Sequence, residues 1–266
     1  GAAGAVSRDP RSAAGADREL RAAVAARDER TIALLGDLVA IASENPPGRL
    51  YRECVDRIAA ELEPLRARTR VVEVPPPPGA GGLPRYCLLS EIGSGDPAFY
   101  LHGHYDVVPA TAPGQFAPLL AGGRLYGRGA ADMKSGLAAM AHALGALRDC
   151  GLPRRGRVVL VAVPDEETGG GLGAEWLGRS GLLDGAGAGA IVGEPTSGRI
   201  WLGHRGALSL RLTVRGRGAH GILQHEGVNA FEGMLRAARE FQALKAEVEV
   251  RETRLPIEPA EARRSI

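Results

Sequence analysis

Apolar residues near the start of the chain recur at helical spacing, and proline-rich stretches interrupt that pattern. Residues 16–41 predict one long helix, which the Asn-Pro-Pro-Gly sequence at 45–48 ends. Residues 50–65 predict a second helix, and the β-branched run at 70–74 predicts a short strand that four prolines, 75–78, terminate. The first part of the chain is therefore expected to supply two helices and one strand.

Strand-like and helix-like segments then alternate as far as Gly193. A turn sequence at 93–97 separates two apolar runs that we expect to be adjacent strands, and the run at 157–163 is typical of a strand covered on both faces. The predicted strands are 85–92, 98–102, 157–163 and 190–192, and the predicted helices are 133–147 and 172–179. This alternation predicts a three-layer α/β domain.

The pattern changes beyond Gly193. Residues 208–214 alternate apolar and polar side chains, as a half-exposed antiparallel strand does, and residues 227–246 have the period of an amphipathic helix. A second domain is therefore expected to begin near His204. We predict one domain over residues 16–203 and a second over residues 204–266.

The composition is that of an ordinary globular protein, with 44% hydrophobic and 24% charged residues among 266. No apolar run reaches the roughly 18 residues of a membrane span, and residues 1–20 lack the basic and then apolar pattern of a secretory signal. The net charge of +2 is spread along the chain, which argues against a nucleic-acid partner. Three widely spaced cysteines, Cys54, Cys87 and Cys150, predict buried thiols in a cytoplasmic protein.

A histidine-rich segment ends the predicted strand at 98–102. His102, His104 and Asp106 are two residues apart, so in an extended chain their side chains can lie on one face. A histidine with a nearby carboxylate suits a metal ligand whose ring the carboxylate orients. Taken alone, the segment fits a buried histidine that is hydrogen-bonded to its neighbour slightly better.

Carboxylates follow other predicted elements in the same domain. Asp132 comes after a glycine-rich turn and before a helix, where an N-cap is the ordinary reason for an aspartate. Asp165, Glu166 and Glu167 come directly after a strand, and Glu194 follows the next one. Adjacent carboxylates at strand ends repel one another unless a cation or solvent separates them, and strand ends are where α/β sheets bind ligands.

Together these residues indicate metal-assisted hydrolysis. One histidine with several carboxylates suits zinc, and also manganese or cobalt. An additional carboxylate that is not a ligand, such as Glu166, can take a proton from water that attacks a carbonyl carbon.

The motifs resemble those of the zinc-dependent superfamily of acetylornithine deacetylase, succinyl-diaminopimelate desuccinylase, aminoacylase and glutamate carboxypeptidase. The matching segments are Gly-His-Tyr-Asp-Val-Val-Pro at 103–109, Gly-Arg-Gly-Ala-Ala-Asp-Met-Lys at 127–134, Asp-Glu-Glu-Thr-Gly at 165–169 and Gly-Glu-Pro-Thr at 193–196. The resemblance implies two divalent metal ions, most often zinc. It also implies that His104 and Glu194 hold one ion, Glu167 holds the other and Asp132 bridges them, while Asp106 orients His104 and Glu166 is the general base.

The resemblance further implies a smaller α+β lid domain that mediates dimerisation and begins near residue 204. His220 would then reach the partner subunit's site and stabilise the oxyanion. The expected substrate is an N-acyl amino acid whose amide bond is hydrolysed, with a peptide cleaved by a carboxypeptidase or dipeptidase as the alternative. The family's last metal-binding histidine and its substrate-gripping arginine have no counterpart before Ile266, so we expect weak or absent activity from these 266 residues alone.

Three other readings remain open at this point. Gly169 to Ala174 fit a dinucleotide-binding fingerprint, although three carboxylates separate them from the preceding strand. His102 and His104 could be the metal pair of a barrel amidohydrolase, although eight strand-helix units are not visible. The chain could also be a fragment that keeps the fold without chemistry.

Overall fold

The computed structural model describes residues 13–76, 82–151, 155–183, 187–201, 203, 206, 208 and 210–252. The chain divides into two compact units, Gly1–Gly198 and Arg199–Ile266. The first unit contains the candidate metal-binding residues. The domain boundary expected near His204 stays a prediction.

The first unit combines five helices with seven strands among its described residues. The helices are α1 (Ala13–Ala25), α2 (Asp28–Ala40), α3 (Tyr51–Leu62), α4 (Ser135–Asp149) and α5 (Ala174–Arg179). The strands are β1 (Arg68–Val74), β2 (Arg85–Ser94), β3 (Ala98–His104), β4 (Leu119–Ala121), β5 (Arg124–Tyr126), β6 (Gly156–Val163) and β7 (Gly187–Val192).

The main sheet is mixed, with the strand order β1-β2-β6-β3-β7, and β4 with β5 forms a separate hairpin. Strands β1, β2 and β6 pair antiparallel, whereas β6, β3 and β7 run parallel. Parallel neighbours bring their carboxyl ends to one edge of the sheet. That edge receives the residues that follow β3, β6 and β7.

Helices cover the sheet on both faces and so form three layers. On one face, α2, α3 and α4 pack their apolar sides against the sheet, with Leu38, Ile58 and Leu144 fully or almost fully buried. On the other face, Leu177 of α5 packs on Val161 and neighbouring strand residues. Strand β6 is buried over most of its length, as expected for a central strand. The predicted three-layer α/β fold is confirmed.

The predicted single helix over residues 16–41 is wrong, because the chain breaks at Ala26 and Arg27 between α1 and α2. Arg27 has non-helical backbone angles, and its buried guanidinium lies against Gly145 of α4 and pairs with Asp149. Hydrophobic spacing alone did not reveal this break, because the apolar residues on either side of Arg27 keep the spacing of one continuous helix.

The expected adjacency of β2 and β3 is also wrong. The turn between them is present, but β6 lies between the two strands and pairs with both. The apolar side chains of β6 explain this position, since only a central strand buries both of its faces.

The second unit contains one long helix among its described residues, α6 (Ala230–Glu249). Asn229 caps it by accepting hydrogen bonds from the amides of Phe231 and Glu232. The strand predicted at 208–214 is absent from the described residues of that segment, and a single bridge joins Arg217 to Val228. Leu208, Leu210 and Leu212 remain exposed. The alternation of apolar and polar residues was therefore not sufficient to predict a strand here.

Two further observations concern the whole described chain. Cys54, Cys87 and Cys150 are free and buried, as predicted. The described helices are either too short or too polar for a transmembrane span.

Candidate metal centre

The candidate centre lies where the three parallel strands end. His104 is the last residue of β3, Glu166 and Glu167 follow β6 in a short 3-10 turn, and Glu194 lies two residues beyond β7. Backbone hydrogen bonds continue past the strands, from Tyr105 N to Val163 O at 3.1 Å and from Gly193 N to His102 O at 3.0 Å. This pairing holds the three strand ends side by side.

His104 is the centre of the cluster and is almost fully buried. Its Nε2 atom lies 3.2 Å from Asp132 Oδ1 and 3.7 Å from both Glu166 Oε2 and Glu194 Oε1. On the other side of the ring, Nδ1 lies 2.9 Å from the carbonyl oxygen of Asp106 and 3.2 Å from Oδ1 of the same residue. One ring nitrogen therefore faces three carboxylates, while the other is held by Asp106.

Three residues have the geometry of a metal site. One ligand atom each from His104, Asp132 and Glu194 lies within 4.8 Å of the other two, the single such group among the described residues. One imidazole with two carboxylates is a donor set that suits zinc. His102 and Glu167 are outside this group.

Asp132 reaches the cluster through the irregular turn at Ala130–Lys134, which precedes α4. The N-cap interpretation of Asp132 is wrong, because α4 begins at Ser135 with no side-chain cap and the Asp132 carboxylate lies beside His104 instead. Lys134 anchors the turn. Its fully buried ammonium group donates to the carbonyls of Leu38 at 2.7 Å and Ile41 at 2.8 Å, at the end of α2.

Glu166 and Glu167 are neighbours in sequence but point to different partners. The Glu166 carboxylate lies near His104, as described above, and is about half exposed. The Glu167 carboxylate instead accepts a hydrogen bond from the Val108 amide at 3.2 Å. The structure therefore brings Glu166 to the centre and leaves Glu167 at its margin.

Asp106 connects His104 to the turn that carries these two glutamates. Its fully buried carboxylate accepts hydrogen bonds from the amides of Glu166 at 3.2 Å and Glu167 at 3.1 Å. The same carboxylate accepts a hydrogen bond from Asn45 Nδ2 at 2.8 Å. Sequence reasoning treated Asn45 only as part of a helix-ending turn. Its place in the Asn-Pro-Pro-Gly turn at 45–48 gave no sign of this contact.

The charges of the cluster shift its protonation equilibria. Burial lowers the pKa of His104, but the hydrogen bond to Asp106 and the surrounding carboxylates outweigh it and raise that pKa to about 9. Burial raises the pKa of Asp106, yet its hydrogen bonds to His104 and Asn45 bring the net shift downward. Burial and neighbouring carboxylates raise the pKa values of Glu167 and Glu194. Such concentrated negative charge around one imidazole favours a cation at the centre.

His220 lies in the second unit, where it precedes a short 3-10 segment at Gly221–Glu226. Its Nδ1 accepts a hydrogen bond from the Ile222 amide at 3.3 Å, and the residue is exposed. The role expected for His220 at a partner's site stays a prediction.

The fold disagrees with two of the alternative readings. The glycine-rich segment from Gly169 follows a 3-10 turn that contains Glu166 and Glu167, so no strand leads directly into it as a dinucleotide site requires. The main sheet is open and mixed, whereas a barrel amidohydrolase has a closed parallel barrel.

Sequence comparison identifies relatives over most of the chain. Residues 100–262 match the model of peptidase family M20/M25/M40. A probable succinyl-diaminopimelate desuccinylase of Staphylococcus epidermidis is 34% identical over 211 residues, which cover 77% of this chain and 49% of the relative. The chain thus spans about half the length of the curated relatives it matches.

Solved structures share the fold. Human carnosine dipeptidase 1 superposes with a TM-score of 0.54 at 25% identity, over 66% of this chain and 40% of that one. A tripeptidase from Staphylococcus aureus superposes with a TM-score of 0.53 at 24% identity, over 79% of this chain and 56% of that one. Together with the extent of the family match, these relatives place the chain in peptidase family M20/M25/M40.

Proposed function

We propose that this chain carries the metal centre of a hydrolase that cleaves the amide bond of an N-acyl amino acid. The observation that carries the proposal is the cluster of His104, Asp132 and Glu194, with the Glu166 carboxylate 3.7 Å from the same imidazole nitrogen. Three potential ligands and a further, half-exposed carboxylate are the parts that metal-assisted hydrolysis requires.

The donor set fits zinc, with cobalt or manganese as alternatives. His104 and Glu194 would hold one ion, Asp132 would be shared, and Glu167 would hold a second. The raised pKa values of Glu167 and Glu194 are consistent with this assignment, because a cation would relieve the repulsion among the carboxylates. A bound zinc ion supplies a Lewis acid that lowers the pKa of water to about 7 and polarises a carbonyl group.

The residues of the chain divide the remaining work. Glu166 accepts the proton of the attacking water and later passes it to the leaving amine. Asp106 holds the His104 ring and, through the two amides, the turn that bears Glu166. His220 of a second subunit would donate a hydrogen bond to the oxyanion, which requires a homodimer.

The substrate proposal draws on the relatives. One relative is called a desuccinylase and one solved structure a carnosine dipeptidase, so acyl amino acids and short peptides are the substrate classes to test. We place N-acyl amino acids first and dipeptide or carboxypeptidase cleavage second. The expected cytoplasmic location stays a prediction.

Metal binding is the first test. Zinc-loaded and desalted protein is expected to retain about one equivalent of metal by elemental analysis, because the second ion would have only Asp132 and Glu167 as ligands. The Asp132→Ala variant is expected to lose that equivalent, since Asp132 belongs to the three-residue group. Asp56→Ala, at an exposed helix position, is the control. Unchanged metal content in Asp132→Ala would refute the assigned centre.

Activity is the second test. Metal-loaded protein is assayed with N-acetylornithine, N-succinyl-diaminopimelate and dipeptides, and these 266 residues alone are expected to hydrolyse them weakly at most. Glu166→Gln is expected to lower kcat by at least about 100-fold while metal content is retained, since only the proton acceptor is removed. Glu53→Gln, an exposed position on α3, is the matched control. Full activity in Glu166→Gln would exclude the assigned general base.

A further inference from the structure

We propose that Asn45 is a positioning residue that sets the orientation of Glu166 by holding both sides of the turn that carries it. The inference rests on the proposed function for the role of Glu166, but the positioning itself can be tested without any turnover. Asn45 is almost fully buried and lies just beyond α2, far in sequence from the turn at Glu166–Thr168.

The single amide nitrogen of Asn45 makes two hydrogen bonds. Nδ2 donates to Asp106 Oδ2 at 2.8 Å and to Thr168 Oγ1 at 2.9 Å. An NH₂ group has two hydrogens, so both bonds can be made at full strength. Asn45 therefore connects the carboxylate that orients His104 with the last residue of the glutamate turn.

Each of the two acceptors, Asp106 and Thr168, makes further hydrogen bonds to the glutamate turn or to the residue before it. The Asp106 carboxylate accepts hydrogen bonds from the backbone amides of Glu166 and Glu167. Thr168 donates its hydroxyl hydrogen to Asp165 Oδ1 at 2.7 Å, just before the two glutamates. The backbone of Glu166 and Glu167 is thus enclosed by a continuous chain of bonds, Asp106 to Asn45 to Thr168 to Asp165.

The direction of each bond makes the amide of asparagine chemically specific here. Asp106 can only accept, and the Thr168 hydroxyl has already given its hydrogen to Asp165, so both need a donor between them. An aspartate at position 45 would place a second carboxylate against Asp106, and an alanine would leave the buried Asp106 carboxylate and the Thr168 hydroxyl oxygen without this donor. Asn45 itself lies in a different turn, which the backbone bond from Gly48 N to Glu44 O closes. That turn forms without the Asn45 side chain, so turn formation alone does not explain an asparagine at this position.

The consequence is a link between two distant segments and the Glu166 carboxylate. With its backbone fixed, Glu166 keeps its carboxylate 3.7 Å from His104 Nε2. Without Asn45, the turn is expected to move relative to β3, and the carboxylate would then spend less time at that distance.

Amide hydrogen exchange tests the positioning directly. Exchange at Glu166 and Glu167 is measured by NMR in the wild type, Asn45→Ala and Thr168→Val. Both variants are expected to exchange about 5- to 50-fold faster at these two amides, because a hydrogen bond that supports the closed turn is lost. Thr168→Ser keeps the hydroxyl and is expected to match the wild type.

Thr111→Val, the same substitution at an exposed position of the same unit, is the control and should leave both amides unchanged. Unchanged exchange in Thr168→Val overturns the proposal, and so does acceleration in Thr168→Ser equal to that in Thr168→Val. If Asn45→Ala does not fold, the pair at position 168 still decides the question.

The role in catalysis has a separate readout. In zinc-loaded protein that hydrolyses an acyl amino acid, Thr168→Val is expected to lower kcat about tenfold, with metal content retained and KM changed less than kcat. Faster exchange with an unchanged kcat would overturn the connection to Glu166. If the wild type binds no metal, the proposed function fails, and the exchange experiment still reports on Asn45.

Discussion

His104 and Asp106 form a buried pair in which the imidazole Nδ1 lies 3.2 Å from the carboxylate Oδ1. The side chain of Asp106 is fully buried and that of His104 is 1% exposed, so solvent does not screen the interaction. The same carboxylate accepts the amides of Glu166 and Glu167. One residue therefore positions both the imidazole ring and the turn that carries the two glutamates.

Replacing Asp106 with asparagine should affect stability and metal binding together. The asparagine NH₂ would face a donor on one side, so at least one buried hydrogen bond is lost along with a buried charge. We expect destabilisation of about 2–4 kcal/mol and zinc affinity lowered by about 10- to 100-fold. Urea unfolding and zinc titration measure these two quantities.

Asp56→Asn removes an exposed carboxylate that pairs with Arg52 one helical turn away, and is expected to cost less than about 0.5 kcal/mol. An Asp106→Asn protein as stable as Asp56→Asn would contradict the structural role assigned to Asp106.

Metal binding should release protons at neutral pH. The pKa of His104 in the metal-free protein is raised to about 9, whereas a ligating imidazole must be neutral. Zinc affinity is therefore expected to rise as pH increases toward 9 and to level off above it. Calorimetry at pH 7 in buffers of different ionisation enthalpy should detect about one proton released per ion bound at His104. A heat of binding that is independent of the buffer would contradict this expectation.

The stability of the metal-free protein should change with pH in the corresponding direction. A folded-state pKa of about 9, above the usual 6.5 of histidine, means that His104 stabilises the fold fully below pH 6.5. That contribution is lost as pH rises through 9. The lowered pKa of Asp106 acts in the opposite range, since its contribution is lost as pH falls below the ordinary range of a carboxyl group. Thermal unfolding of metal-free protein between pH 6 and 10 tests the first trend, and a rising Tm over that interval would contradict it.

Lys134 should be important for both the fold and Asp132. Lys134→Met keeps most of the volume but removes the donors to the Leu38 and Ile41 carbonyls, so we expect a loss of about 2–3 kcal/mol. Burial lowers the pKa of Lys134, which shows that the ammonium group already bears a desolvation cost. That cost is why the net loss stays moderate.

The control for Lys134→Met is Arg49→Met, which replaces an exposed cation in the same unit and should change stability by less than about 0.5 kcal/mol. Zinc affinity should fall in Lys134→Met and remain unchanged in Arg49→Met, because Lys134 anchors the turn that carries Asp132. Equal zinc affinity in the two variants would contradict a role of Lys134 in positioning Asp132.

Two helical glycines should respond oppositely to alanine. A methyl group on Gly136 of α4 would lie 2.2 Å from the carbonyl oxygen of Gly193, next to Glu194, so either α4 or the strand end must move. We expect Gly136→Ala to cost about 1–3 kcal/mol and to weaken zinc binding. Gly178 of α5 has open space around it, and Gly178→Ala should stabilise the protein by about 0.5–1 kcal/mol. Urea unfolding distinguishes the two, and a stable Gly136→Ala variant with normal zinc affinity would refute the close packing.

The sequence by itself determined most of the helices and strands, and it pointed to the residues that we propose carry the chemistry. The burial of β6 on both faces and the type of most other elements follow from local periodicity, which depends only on near neighbours along the chain. Because carboxyl ends of parallel strands share an edge, the positions of His104, Glu166 and Glu194 after strands already indicated a common site.

The tertiary structure decided what depends on contacts between distant segments. The place of β6 between β2 and β3, the break at Arg27 and the exposure of Leu208, Leu210 and Leu212 all depend on which partner each segment finds. The bond from Asn45 to Thr168 joins residues 123 positions apart, and no local pattern specifies it. Hydrophobic periodicity shows which side of one helix or strand faces the core. A hydrogen bond between two elements also depends on their relative positions, which only the packing of the folded chain determines.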